Sequence, residues 1–394
     1  MPGTTIRHAP EAQTGAFTAP SAFDLYRQLL ETPGNLSFSP FGIASALVMA
    51  QAGAAGTTRR EIEAVLHREG AGERLVEQTG ELSRELRALA DSEDEAIHLS
   101  VASALWAQSG YPLHLSFIER LREGLDAEAR EVDFARHPAE AVRAVNAWVA
   151  DATGDRITSI LSEDQVDSLT RGVLANAIYL KAPWARSFMV WKTRPLPFHL
   201  ADGTRIEVPT MYQGEGFGYR RTKGLQIIRL DYRNRRVSML VLLPDPGQLE
   251  RVEQELDSSR LDDLESSLKM RDIHLFLPRF RVDSSFTLRS VLERLGMRSA
   301  FGPGADFSGV SSEPGFQIGE VTHKTFVSVD ESGTEAAGAT VNTLLGGIPD
   351  PDVEVRVDRP FLFLIRHEDT GTVLFIGRVT DPRIQGWRRR RGAD

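Results

Sequence analysis

Apolar positions recur along this chain at two spacings, three-to-four residues apart and two apart, and the switches between them lay out the elements. Ser21 is placed to cap a helix whose Ala22, Tyr26, Leu29 and Leu30 share one face, and Pro33-Gly34 ends it. Leu36 and Phe38 alternate as a short strand; Ser39-Pro40 then sets a capping hydroxyl before a proline at the first helical position, and Ile43, Leu47 and Ala50 carry the inward stripe to Gly53. Thr58-Arg59-Arg60-Glu61 has capping-box spacing, and Leu75, Leu82, Leu86 and Leu89 mark another amphipathic helix. Residues 97–107 alternate as a long strand, a helix follows Ser116, and Val132-Asp133-Phe134 predicts a second strand. Pro138 opens a helix with Val142, Val145, Trp148 and Val149 facing inward. Residues 172–179, GVLANAIY, are nearly all apolar, the mark of a strand buried on both faces, so the amide of Asn176 within it must find partners. Residues 198–211, turned at Asp202-Gly203, and 237–244 read as strands of smaller sheets. Helices are expected near 249–256 and 259–270, and Ser285 is expected to cap one carrying Leu288, Val291, Leu292 and Leu295, closed by Gly296.

The stretch that organises the rest is 328–351, SVDESGTEAAGATVNTLLGGIPDP. It follows a strand pattern (Phe326, Ser328 and Asp330 on one face, Val327 and Val329 on the other) and loses large side chains at Glu331. From Gly333 to Ile348 no proline removes a backbone donor, and beyond Thr334 the only charge is Glu335. Alternate side chains point to opposite faces of a strand. Thr334, Ala336, Gly338, Thr340, Asn342 and Leu344 therefore form an uncharged face that could be buried without stranding an ion. Fully extended, 333–347 would span roughly 50 Å, and Pro349 and Pro351 stop any ladder. The plain alternative, an exposed Gly/Ala-rich loop, stands level with the strand on this stretch alone.

Glu331-Ser332-Gly333-Thr334-Glu335-Ala336-Ala337-Gly338-Ala339-Thr340 resembles the hinge of an inhibitory serpin. Val357-Asp358-Arg359-Pro360-Phe361-Leu362-Phe363 and Leu374-Phe375-Ile376-Gly377-Arg378-Val379 are similar to that family's C-terminal strands. Asn35-Leu36-Ser37-Phe38-Ser39-Pro40 with Gly53-Ala54-Ala55-Gly56-Thr57-Thr58, and Asn176-Ala177-Ile178-Tyr179-Leu180-Lys181 with Trp184 and Phe188, match two further signatures. Asn146, Trp148, Thr153, Gly154 and Ile157 are similar to the helix in front of the main sheet, and Asp306-Phe307-Ser308-Gly309 is again serpin-like. The likeness runs from about Phe23 to Pro382 and is to a bacterial member of the inhibitory type. It implies an α+β serpin fold: three β-sheets, about eight or nine helices, and an exposed reactive-centre loop that can insert into the main sheet. One domain is then expected over 21–383, with its loop near 331–352, a flexible extension over 1–20 and an Arg-rich tail over 384–394.

The resemblance also assigns roles. It implies that Ser39, Asn176 and His323 form a buried polar cluster where the sheet opens, although Gly42 stands where the family usually has a second serine. A lone, satisfied core histidine is the ordinary alternative for His323. Trp184 is expected where the hinge enters, and Arg279 as the basic partner of Glu331; an ordinary surface arginine is the alternative, and an exposed pair would contribute about 1 kcal/mol or less.

Composition narrows the function. The chain has 394 residues, 41% hydrophobic, with a net charge of −9, which argues against a chain-wide nucleic-acid footprint. Without cysteine there is no disulfide, thiolate metal site or Cys nucleophile. No signal-length apolar run opens the sequence and no window approaches a membrane span, which favours the cytoplasm unless a leader is missing from this sequence and the protein is secreted. No Gly-x-Ser-x-Gly elbow, His-Glu-x-x-His or Gly-Lys-Ser/Thr loop is present, so a hydrolase lacks its nucleophile and base. Gly214-x-Gly216-x-Gly218 has the wrong spacing for a dinucleotide and reads as a mobile loop; the histidines are scattered, and neither metal nor cofactor is expected. Arg388 to Arg391, after Trp387, reads as a solvated tail, with a nucleic-acid or membrane contact, or docking through Trp387, as alternatives.

The implied function is therefore a monomeric suicide-substrate inhibitor that forms a covalent complex with a serine peptidase and involves no nucleic acid or membrane. A non-inhibitory carrier or chaperone of the same fold is the alternative. The family's usual spacing from Glu331 puts the scissile bond at Gly347-Ile348, suited to an elastase-like enzyme. Leu345-Gly346, suited to a chymotrypsin- or subtilisin-like one, is the alternative.

Overall fold

The structure, a computed structural model, describes residues 19–89, 97–334 and 353–384. Helix α1 (Ala19–Leu29) starts upstream of Ser21, which lies buried within it instead of capping it. Strand β1 (Leu36–Phe38) leads into α2 (Pro40–Gly53), where the Ser39 hydroxyl accepts the Gly42 amide at 2.9 Å. Every α2 residue is buried, so this helix runs through the interior. Helix α3 (Gly56–Val65) begins before Thr58 and the predicted capping box does not form. A distant segment recruits both side chains: Thr58 accepts the Asp306 amide and Glu61 accepts those of Arg298 and Ser299.

Helix α4 (Arg74–Ala88), strand β2 (His98–Gln108) and helix α5 (Leu115–Glu119) follow. Strand β3 (Glu128–Val132) stops at the first of the three residues expected to form it. Asp133 turns the chain there, its Oδ1 accepting from Gln108 Nε2 at 2.9 Å and the Arg136 amide at 3.0 Å. Then come α6 (Pro138–Ala152), β4 (Gly172–Pro183), β5 (Arg194–His199), β6 (Arg205–Thr222), β7 (Leu225–Asp231) and β8 (Val237–Pro244). Helix α7 (Leu249–Glu255) and α8 (Ser258–Ser266) precede β9 (Lys269–Pro278) and β10 (Phe280–Thr287). The second of those helices ends short of its expected limit because Met270 already belongs to β9. Ser285 is a strand residue of β10, and helix α9 (Arg289–Arg294) begins only after it. The chain closes with β11 (Glu320–Val329), β12 (Gly333–Thr334), β13 (Val353–Arg356), β14 (Phe361–His367) and β15 (Val373–Val379).

Hydrogen bonding joins these strands into a six-stranded network, β10-β11-β12-β4-β2-β3, and a nine-stranded one, β1-β15-β14-β8-β7-β6-β9-β13 with β5 on β6. The larger network is two sheets joined through the 18-residue β6. One end of β6 pairs with β5 and the other with β7, while β9 pairs with the stretch between them, Thr210 to Tyr219. Gly214, Gly216 and Gly218 lie inside that strand, paired with β9, so the mobile-loop expectation is wrong. A Cβ on Gly214 would stand 3.0 Å from the His274 ring, so the missing side chain admits the neighbouring strand's imidazole.

The six-stranded sheet is covered on both faces, which is why β4 reads as unbroken apolar sequence. Leu174, Ile178 and Leu180 face the main core with α2, whereas Val173, Ala175, Ala177 and Tyr179 face a second cluster built on α6 with Trp148, Val145 and Val149.

Candidate functional site

The six-stranded sheet has one place where its ladder divides. Over most of their length β4 and β11 pair directly and in parallel, from Glu320 opposite Val173 to Phe326 opposite Tyr179. Beyond that point the two-residue β12 lies between them, antiparallel to both: Thr334 is opposite Val329 of β11 and Ala182 of β4, and Gly333 is opposite Pro183. A strand therefore separates β4 from β11 at this end alone, and along the rest the two are paired directly.

The turn that delivers β12 is fixed by several groups. The Glu331 carboxylate is 4% exposed and accepts from Arg279 Nε at 2.9 Å and Nη2 at 2.6 Å, and from the Thr193 hydroxyl. This is no exposed pair, so the surface-arginine alternative and the small energy attached to it do not apply. Asp330 Oδ1 accepts the Ser332 amide at 2.8 Å, and burial, with Glu331 adding to it, pushes the Asp330 carboxyl above its ordinary value. Gly333 adopts a φ of +152°, and a Cβ there would lie 2.1 Å from the Ala182 carbonyl oxygen, so only glycine fits this entry.

Trp184 packs beneath the turn. Its indole N–H donates to the Asp330 carbonyl at 3.0 Å, its amide to the Ser332 carbonyl at 2.9 Å, and its ring stacks on Tyr232 with centroids 4.6 Å apart. The Tyr232 hydroxyl and the Thr334 hydroxyl are 2.6 Å apart, both fully buried, and burial holds the phenol protonated by raising it well above its usual range. Tyr232 and Thr193 were not found in the sequence reading. Neither carries a local signal, since each is defined by a partner more than 100 residues away.

Breaking a buried pair by removing one partner leaves a costly charge. Arg279→Gln is expected to lower native stability by about 3 kcal/mol, read as a drop in thermal midpoint, with Glu331→Gln in the same background recovering part of the loss.

Midway down the sheet, His323 and Asn176 face each other across the β4–β11 ladder. His323 Nε2 accepts the Ser39 amide at 2.9 Å, so Nδ1–H donates to Asn176 Oδ1 at 2.8 Å, and the Asn176 amide donates to Ser103 Oγ at 2.8 Å. Ser39 joins this cluster through its backbone, because its hydroxyl is spent capping α2. A Cβ on Gly42 would lie 2.4 Å from Asn176 Oδ1, so in this chain the amide occupies the space that a side chain at 42 would take.

Burial drives the His323 imidazole down to about 3, against the bond to Asn176. Its folded value lies below its unfolded one, so its stabilising effect is complete above roughly pH 6.5 and is lost as pH falls toward 3. Native stability is expected to fall by up to about 1.4 kcal/mol per pH unit below that limit. Denaturant titrations at pH 7, 6, 5 and 4 check it, and equal stability at pH 7 and 4 would refute it.

Of the other hinge positions, Glu335, Ala336, Ala337, Gly338, Ala339 and Thr340 lie outside the described residues, as do Leu345, Gly346, Gly347 and Ile348. Among the described residues no helix is long and apolar enough to cross a membrane.

Comparisons with known proteins agree with this architecture. The family model described as serpin (serine protease inhibitor) matches residues 18–382. An "uncharacterized serpin-like protein" of Thermococcus kodakarensis is 40% identical over 92% of this chain and 84% of its own length. The leukocyte elastase inhibitor of Bos taurus is 36% identical over 94% of this chain and all of its own. Among solved structures, human thyroxine-binding globulin has a TM-score of 0.85 at 27% identity, covering 94% of this chain and 99% of that one. Uncleaved ovalbumin has a TM-score of 0.84 at 29% identity, covering 94% and 100%.

Proposed function

This chain belongs to the serpin family, and from that premise we propose that it inhibits a serine peptidase as a single-use trap. The peptidase attacks the segment between β12 and β13, forms an acyl bond to it, and is carried along when the freed segment enters the six-stranded sheet as a full strand. The observation that carries this reading is the short β12, already seated between two strands that are otherwise paired in parallel.

The seated register supports it. Six residues on from Thr334, Thr340 would stand opposite Asn176, six back along β4, and opposite His323, six back along β11. Insertion would thus part the buried His323–Asn176 pair that links the two strands across the ladder. The proposed roles follow: Ser39, Asn176 and His323 hold the sheet shut, Trp184 and Arg279 seat its entrance, and Glu331 with 333–340 forms the hinge. Thr334 is uncharged and fully buried, which suits the uncharged alternate positions that follow it in sequence.

The scissile bond is proposed at Gly347-Ile348, with Leu345-Gly346 as the alternative. Incubation with elastase-, chymotrypsin- and subtilisin-like peptidases tests both. A denaturing gel should show one adduct of chain plus peptidase, and mass spectrometry should show a C-terminal fragment starting at Ile348 or Gly346. Fragments without an adduct for every peptidase would instead mark a non-inhibitory carrier.

A further inference from the structure

Away from the hinge, two distant segments bring two carboxylates and an imidazole together. Glu85 comes from α4, while His367 and Asp369 come from the end of β14 and the turn that follows it. Their donor atoms all lie within 4.8 Å of one another, and His367 Nε2 is 3.9 Å from Asp369 Oδ2. Three points that close fit within a radius of 4.8/√3, about 2.8 Å, so small side-chain movements bring all three to the ~2.0–2.2 Å that zinc–nitrogen and zinc–oxygen bonds require.

The imidazole gives the cluster its meaning. His367 is fully buried, and its Nδ1 sits 2.9 Å from the Thr370 hydroxyl, which also meets the Thr372 hydroxyl at 2.8 Å. With Nδ1–H donating to Thr370, Nε2 presents a lone pair, and no hydrogen-bond partner meets it. A buried acceptor therefore points toward two further acceptors, an arrangement that only a cation or donor reaching all three would satisfy. Arg236 does part of this: its Nε donates to Asp369 Oδ2 at 2.6 Å and its Nη2 to Glu85 Oε1 at 3.1 Å, but it leaves Nε2 unmet.

The geometry points to a binding site for a divalent transition metal at Glu85, His367 and Asp369, in which the metal competes with the Arg236 guanidinium for the two carboxylates. One imidazole with two carboxylates suits zinc or a neighbouring first-row ion better than calcium, which takes six to eight oxygens. Bound metal would pin the end of α4 to the β14–β15 turn. This inference is independent of the proposed inhibition.

Calorimetric titration of the full chain with zinc chloride at pH 7.5 tests it. The wild type should bind one equivalent, Arg236→Gln should bind at least about ten times more tightly, and Glu85→Gln and Asp369→Asn should each weaken binding by a similar factor. These last two side chains are partly exposed, so their loss leaves folding intact, unlike a change at buried His367. Zinc should raise the thermal midpoint of the wild type and not that of Glu85→Gln. Absence of saturable binding in both the wild type and Arg236→Gln overturns the site, and so does zinc binding undiminished in Glu85→Gln and Asp369→Asn.

Discussion

Thr334→Arg is expected to abolish the proposed covalent adduct while leaving the segment after it cleavable. Thr334 is fully buried, paired on both edges, with its hydroxyl against Tyr232, and no carboxylate is bonded to that pair of hydroxyls. Burying an unpaired guanidinium there costs several kcal/mol, and each 1.4 kcal/mol is a factor of ten in rate or equilibrium. Insertion competes with hydrolysis of the acyl bond, so slowing it by more than about a hundredfold turns inhibitor into substrate. Thr334→Val separates charge from hydroxyl. It keeps the size, strands only the Tyr232 hydroxyl at about 1–3 kcal/mol, and should retain most of the adduct. An intact adduct yield in Thr334→Arg would show that this position does not enter the sheet.

The short-range chemistry of this fold is legible in its sequence. Ser39-Pro40 caps α2 as its spacing says, β4 is buried on both faces as its apolar run says, and Pro138 opens α6. What fails does so where distant groups override a local preference. Thr58 and Glu61 match a capping box but serve amides some 240 residues away, and Gly214, Gly216 and Gly218 look like a loop because β9 makes small residues useful inside a strand. The same limit holds at the site. Family likeness points to Arg279 and Glu331, yet their energetic weight follows from the burial of Glu331, and burial is a property of the assembled sheet. Tyr232 and the cluster of Glu85, His367 and Asp369 are set by contacts that no local pattern announces.

Gly42 shows the two levels meeting. By sequence it is a departure from the family's pattern; in the fold it is the space into which Asn176 Oδ1 projects while holding His323. A hydrogen bond between side chains thus links the two strands that the proposed insertion would separate.

On the proposed mechanism cleavage is expected to make the molecule more stable, because entry of the cut segment would exchange one parallel ladder for two antiparallel ones. The present β4–β11 ladder runs from Glu320 and Val173 to Phe326 and Tyr179, and a strand continuing from Thr334 would reach Gly172 at Leu344. Roughly ten newly paired residues, each net hydrogen bond being worth about 0.5–1.5 kcal/mol, give a gain on the order of 10 kcal/mol. On this account the intact form would persist because a barrier separates it from that state. The decisive measurement is therefore the thermal midpoint of the chain before and after a peptidase nicks it between Leu344 and Ile348. A rise on the order of 10 °C or more is the expected result; an unchanged or lower midpoint in the nicked protein would contradict the account.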